Sequence, residues 1–157
     1  MEEDRPMIFI SLTRATKEKG IHRIVTLCNL FRKQKRKFMW LLCGSAMEQA
    51  PESIKQQLLN MPEVLLIPAH HNNKALISMA DYLVQLSDTE SFCYSAYEAL
   101  IMGKPVIITD FPESKNIVKQ GENGYIIPSE NVEMLRIFDS FQQQLYIFRG
   151  VITLFPI

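Results

Sequence analysis

The sequence predicts an α/β fold: a parallel sheet of about six strands with helices on both faces. Three observations carry this. Short apolar runs alternate with helix-patterned stretches along the chain. The apolar runs are nearly continuous, as in strands buried on both sides, rather than alternating apolar and polar. Polar loops follow the strands where the chain passes into the next helix, the connection that parallel strands require.

The elements follow in order. Met7–Leu12 (MIFISL) is a buried strand, and Thr13 to Lys19 is a polar loop closed by Gly20. Ile21, Ile24, Val25, Cys28 and Phe31 recur at helical spacing. Phe38–Cys43 (FMWLLC) is the second strand, stopped by Gly44-Ser45. Pro51 to Leu59 is helical, with the proline near its first turn, where its missing N–H costs nothing. Val64–Ile67 is the third strand, ending at Pro68. A helix over about Lys74 to Met79 leads to the fourth strand, Tyr82–Leu86. The next helix opens with Ser91 to Ser95, carries Glu98 and ends at Gly103-Lys104-Pro105. Pro105–Thr109 is the fifth strand, Glu113 to Gln120 a helix with a capping pattern at Pro112-Glu113-Ser114, and Tyr125–Ile127 the last strand. Val132 to Phe148 fits one helix. The domain reading is a disordered N-terminus over 1–6, one ligand-binding domain over 7–149, and an apolar tail, GVITLFPI, over 150–157.

With 157 residues the chain can bury one real core. Lys and Arg together number 17 and so do Asp and Glu, so no global charge points to nucleic acid. The local cluster Arg32, Lys33, Lys35, Arg36 and Lys37 falls where a helix ends and suits the negative end of its dipole. Peripheral contact with an anionic membrane surface is the second reading of that cluster. The three cysteines, Cys28, Cys43 and Cys93, lack the spacing of a disulfide framework or a zinc site. Cys28 and Cys43 read as core residues. The acidic opening Met1-Glu2-Glu3-Asp4 lacks a signal-peptide pattern, and no apolar run reaches the roughly 18 residues of a membrane span. These features predict a reducing, cytoplasmic setting.

The chemistry concentrates in DTESFCYSAYEALIMGKP, Asp88 to Pro105. Glu90 lies in a polar loop and Glu98, with seven residues between them, in an apolar helical run. A carboxylate in such a run needs a partner, because burying it unpaired is costly. A ligand rich in hydroxyl groups is one partner, and a basic side chain is the plainer one. The carboxylate pair alone also suits glycoside hydrolysis. Arg14 and Lys19, on the loop before a helix, are candidate diphosphate ligands, supported by backbone N–H groups at the helix start. Tyr94 and Ser95, in the opening of the helix that holds Glu98, offer a second anion-facing surface. For each loop the plainer reading is a solvated surface. His70-His71, with Asn72-Asn73, form a polar loop after the third strand; adjacent histidines do not make a metal site, and a cleft-lining role against a nucleobase is the functional reading. There is no GxGxxG and no GxxxxGK[ST]. Because ligands of parallel sheets bind at the carboxyl ends of the strands, the loops Thr13–Gly20, Pro68–Asn73 and Ser87–Cys93 should meet on one rim.

Taken together, these residues resemble the donor-binding half of retaining glycosyltransferases of the GT-B fold, in particular the GT4 (group 1) family. The likeness runs from about residue 7 to 130 and rests on the order and spacing of several short matches. They are Arg14, Lys19-Gly20-Ile21, Gly44, Ala80-Asp81, Glu90-Ser91-Phe92, Glu98-Ala99-Leu100, Gly103-Lys104-Pro105-Val106-Ile107 and Gly121-Glu122-Asn123-Gly124-Tyr125. Glu90 and Glu98 fit that family's EX7E motif. The resemblance implies a Rossmann-like domain that binds a nucleoside-diphosphate sugar, UDP- or GDP-linked. It implies Arg14, Lys19, Tyr94 and Ser95 on the diphosphate, and Glu90 as the catalytic carboxylate. It places Glu90, Ser91, Phe92 and Cys93 on the transferred sugar, Glu98 on the ribose, and Ala69 and His70 at the base. It implies no required cofactor or metal, in keeping with the lack of an Asp-x-Asp pair. The sequence departs from the family in two respects. Cys93 stands where a glycine is usual, which threatens the backbone's approach to the donor. An acceptor-binding half does not precede the donor motifs, so the acceptor site is expected on another domain of a longer protein or on a partner chain. Two rivals belong to other classes: a non-catalytic subunit that completes an enzyme, and a nucleotide-sugar epimerase.

Overall fold

The computed structural model describes residues 5–44, 47–69 and 72–130. A single sheet of six parallel strands forms the centre: β1 (Met7–Leu12), β2 (Phe38–Cys43), β3 (Val64–Ile67), β4 (Tyr82–Gln85), β5 (Val106–Thr109) and β6 (Gly124–Ile127). Their spatial order is β3-β2-β1-β4-β5-β6. Five helices connect them: α1 (Ile21–Lys33), α2 (Glu52–Leu59), α3 (Asn73–Met79), α4 (Tyr94–Ile101) and α5 (Ser114–Ile117). The doubly wound arrangement read from the sequence is the one observed.

The strands form because their side chains have two cores to fill. On one face Ile21, Ile24, Leu27, Cys28 and Phe31 of α1 and Leu58 of α2 pack with Phe9, Trp40, Tyr82 and Val84 of the sheet. On the other, Ile77 of α3, Ala96 and Ala99 of α4 and Ile117 of α5 pack with Ile10, Leu41, Leu83 and Ile108. Each fully buried large side chain contributes about 1.5–3 kcal/mol relative to exposure. Several buried polar groups are satisfied across the strands. Trp40 Nε1 donates to Ser11 Oγ at 3.0 Å, and Ser11 Oγ donates to the Val84 carbonyl at 2.6 Å. Asp81 accepts from the Ile8 amide at 2.8 Å and from the Arg5 guanidinium at 2.6 and 2.9 Å, which fixes the start of β1 beside β4.

Two expectations are corrected in detail. The stretch Glu113 to Gln120 forms only one helical turn, α5. Beyond that turn other contacts hold the chain: Val118 is extended, Asn123 Oδ1 accepts from the Lys119 amide at 2.8 Å, and the Gln120 side chain reaches forward to accept from the Ile126 amide at 2.8 Å. The helix carrying Glu98 begins at Tyr94, not Ser91, so Ser91 and Phe92 stay in the loop. The expected helix over 132–148 and the tail over 150–157 lie outside the described residues. Among the described residues no helix is long and apolar enough to cross a membrane.

Candidate functional site

β1 pairs with β2 on one side and β4 on the other. The connections leaving β1 and β4 therefore run in opposite directions. The loops after these two strands part at their carboxyl ends, and this is where open α/β sheets hold ligands.

The two loops are tied together. Gly20 adopts φ 77° at the start of α1, and a Cβ there would lie 1.9 Å from the Leu86 carbonyl oxygen. Only glycine permits so close an approach in that conformation. The Asp88 amide donates to the Glu18 carbonyl at 2.8 Å. Arg23, buried on α1, donates to the Leu86 carbonyl at 2.7 Å, to Asp88 Oδ1 at 2.5 Å and to the Ser129 carbonyl at 3.0 Å. The loop that carries Glu90 is thus held from below by a side chain of the first helix.

A cleft of about 480 Å³ opens between these loops. Arg14 and Lys19 line it from the β1 loop; Gly44, at the end of β2, and Ala69, after β3, border it elsewhere. Glu90, Phe92, Cys93, Tyr94, Ser95 and Glu98 line it from the loop and helix after β4. Ser91 lines a second hollow, of about 400 Å³, that shares Lys19, Glu90, Phe92 and Tyr94 with the first. His70 lies outside the described residues. Two basic and two acidic side chains distant in sequence thus border one cleft.

The two carboxylates differ in kind. Glu90 is 13% exposed, and three donors converge on its Oε1: Ser87 Oγ at 2.6 Å, Lys19 Nζ at 3.1 Å and Gln85 Nε2 at 3.2 Å. Burial pushes its carboxyl up. The hydrogen bonds from Ser87, Lys19 and Gln85, with the charge of Lys19, outweigh burial and hold the group below its ordinary range. Glu98 is partly buried on α4 and has no side-chain hydrogen bond or ion pair among the described residues. The plainer sequence reading, a solvated Glu90 and a basic partner for Glu98, is therefore reversed: the loop carboxylate is engaged and the helical one is not. Among the described residues Arg14 pairs only with exposed Glu18, at 3.3 Å, a contact of the kind that contributes little.

Cys93 precedes the first residue of α4 and belongs to the core on that face, 3% exposed, while bordering the cleft. Burial raises its thiol's pKa. Phe92 is half exposed, with its ring stacked on Tyr97 at 4.8 Å and 13°. Gln85 and Ser87 are the site residues that sequence reasoning missed. The available signal was a glutamine inside an apolar strand. Among the described residues no group of three His, Cys, Asp or Glu side chains is placed to hold a metal.

The Glu90 network sets an acid dependence. Its folded-state pKa is depressed, so its contribution to stability is complete above the unfolded-state value and is lost as pH falls through the folded one. We expect Glu90→Gln to melt below the parent at neutral pH, with the gap narrowing as pH descends through the carboxylate range. Thermal melts across that range check this; a gap that stays constant or widens contradicts it.

Fold and cleft together define a Rossmann-like domain with a charged crevice at its topological switch point. Residues 2–136 match the family model described as "Glycosyl transferases group 1", and the chain belongs to that family. It is 25% identical over 140 residues to "Putative colanic acid biosynthesis glycosyltransferase WcaL" of Salmonella typhimurium, and 24% identical to the protein of that name in Escherichia coli. The match covers 83% of this chain and 34% of either relative, so the chain spans about a third of their length. Among solved structures, HepE of Anabaena in complex with UDP and glucose superposes with a TM-score of 0.75 at 20% identity, over 92% of this chain and 42% of that one. TarM gives 0.75 at 20% identity, over 95% of this chain and 30% of that one. At these identities the structures establish the fold, that of one Rossmann-like half of a GT-B glycosyltransferase.

Proposed function

We propose that this chain is the donor-binding domain of a retaining glycosyltransferase of the GT4 type, and that its cleft holds a nucleoside-diphosphate hexose. The observation that carries the reading is the meeting of Arg14, Lys19, Glu90 and Glu98 around one cleft. Arg14 and Lys19 neutralise the diphosphate, helped by the N-terminal turn of α4 at Tyr94 and Ser95. Glu98, with no side-chain partner among the described residues, accepts hydrogen bonds from the ribose hydroxyls. Glu90, already oriented on Oε1, turns its other oxygen to the transferred sugar, where Ser91, Phe92 and Cys93 supply the remaining wall. The EX7E spacing of the two glutamates and the family membership support these roles.

In transfer the cations stabilise the charge that develops on the departing diphosphate, and Glu90 faces the sugar as its anomeric carbon gains positive character. The acceptor is met by another domain of a longer protein or by a partner chain, in keeping with the third of its relatives' length that this chain spans. Calorimetric titration with UDP, UDP-glucose, GDP and GDP-mannose tests the reading. One nucleotide series should bind, with no sugar released or transferred by the chain alone. Absence of heat with all four would refute it.

A further inference from the structure

Gln85 is out of place for a strand residue. The rest of β4 is apolar and buried, and Gln85 itself is 4% exposed. Its Nε2 donates to Glu90 Oε1 and to Ser87 Oγ, both at 3.2 Å, while its own Oε1 is buried without a hydrogen-bond partner. Turning the amide over would set that oxygen against the Glu90 carboxylate, so the orientation is fixed by charge. An orphaned buried carbonyl costs stability, and a leucine at this position would avoid the cost. A core residue retained against stability invites a functional explanation.

Lys19 supplies that explanation. Its ammonium lies 3.1 Å from Glu90 and borders the cleft beside Arg14. One ammonium cannot give its full charge to Glu90 and to a diphosphate at once. We infer that Gln85 is a positioning residue: with Ser87 it keeps Glu90 in place when Lys19 leaves the carboxylate for the donor's diphosphate. This rests on the function proposed above. Ser87 can share the task because its own backbone is held, with Thr109 Oγ1 donating to its carbonyl. The empty site then has Lys19 on Glu90. The occupied site has Lys19 on phosphate, and Glu90 remains on two neutral donors with its second oxygen toward the sugar.

The test uses Gln85→Leu, with Gln85→Met as a second apolar variant. Calorimetry compares UDP with UDP-glucose, and GDP with GDP-mannose, for parent and variants. The sugar's contribution, read as the ratio of the two affinities within a series, should fall about tenfold in both variants. The bare nucleotide should keep its affinity within about threefold. A ratio unchanged in both variants, or an equal loss for nucleotide and nucleotide sugar, overturns the inference. Should the parent bind no nucleotide, the functional reading fails by itself, and carboxyl-carbon NMR of Glu90 decides the positioning claim. With Lys19, Ser87 and the Cys93 thiol unaltered around it, Glu90 should titrate at higher pH in Gln85→Leu than in the parent. An unchanged titration overturns the claim.

Discussion

Gly20→Ala is expected to lose more than about 3 kcal/mol of folding stability, the largest effect of any single substitution considered for this chain. The residue sits at φ 77°, where any side chain costs about 1–2 kcal/mol. The added methyl would also lie 1.9 Å from the Leu86 carbonyl oxygen, which already accepts from Arg23 at 2.7 Å. Relief requires the β4 loop to move away from α1, and that movement breaks the Arg23 contacts and displaces Glu90. Gly121 provides the control. It has φ 78°, but nothing lies within 4 Å of an added Cβ, so Gly121→Ala should cost only the conformational penalty, about 1–2 kcal/mol. Urea denaturation of both variants separates the two contributions. Equal losses would show that the approach of the two loops does not matter.

Glu98→Ala has the largest expected effect on binding. A carboxylate that accepts from two ribose hydroxyls makes charge-assisted hydrogen bonds, and losing them should weaken the nucleotide by about thirtyfold or more. The fold should be indifferent, because Glu98 has no side-chain partner among the described residues; a change within about 0.5 kcal/mol is expected. This separation of binding from stability is the signature of a ligand-facing group. Equal nucleotide affinity in variant and parent would remove Glu98 from the site, and a large loss of stability would give it a structural role instead.

What could be read from the sequence was whatever local chemistry decides. The runs MIFISL and FMWLLC are strands whose side chains are nearly all wholly or partly buried, whereas VLLI, at the sheet edge, leaves Leu65 half exposed. Gly20 was legible as a tight turn, but its contact with Leu86, 66 residues along the chain, was not. The helix expected over Glu113 to Gln120 stops at Ile117: Asn123, from beyond its end, takes the Lys119 amide, and the Gln120 side chain is turned forward to the Ile126 amide. Arg14, Lys19, Glu90 and Glu98 were named from spacing and resemblance, and the parallel sheet brings them to one rim. The pairing within the rim was not legible. That Lys19 reaches Glu90, and that Gln85 and Ser87 reach it too, follows from how the β1 and β4 loops lie across each other. Such contacts depend on tertiary placement and leave only a faint trace: one polar residue in an otherwise apolar strand.

The central claim, that one nucleotide sugar is held by both cations and both glutamates, is tested most directly by a crystal structure of the chain with UDP-glucose, or with GDP-mannose if that series binds. We expect the ribose hydroxyls on Glu98, the diphosphate on Arg14 and Lys19 with Lys19 withdrawn from Glu90, and the sugar against Glu90. A nucleotide seated away from the crevice between the β1 and β4 loops, or one whose diphosphate touches neither Arg14 nor Lys19, would contradict the account.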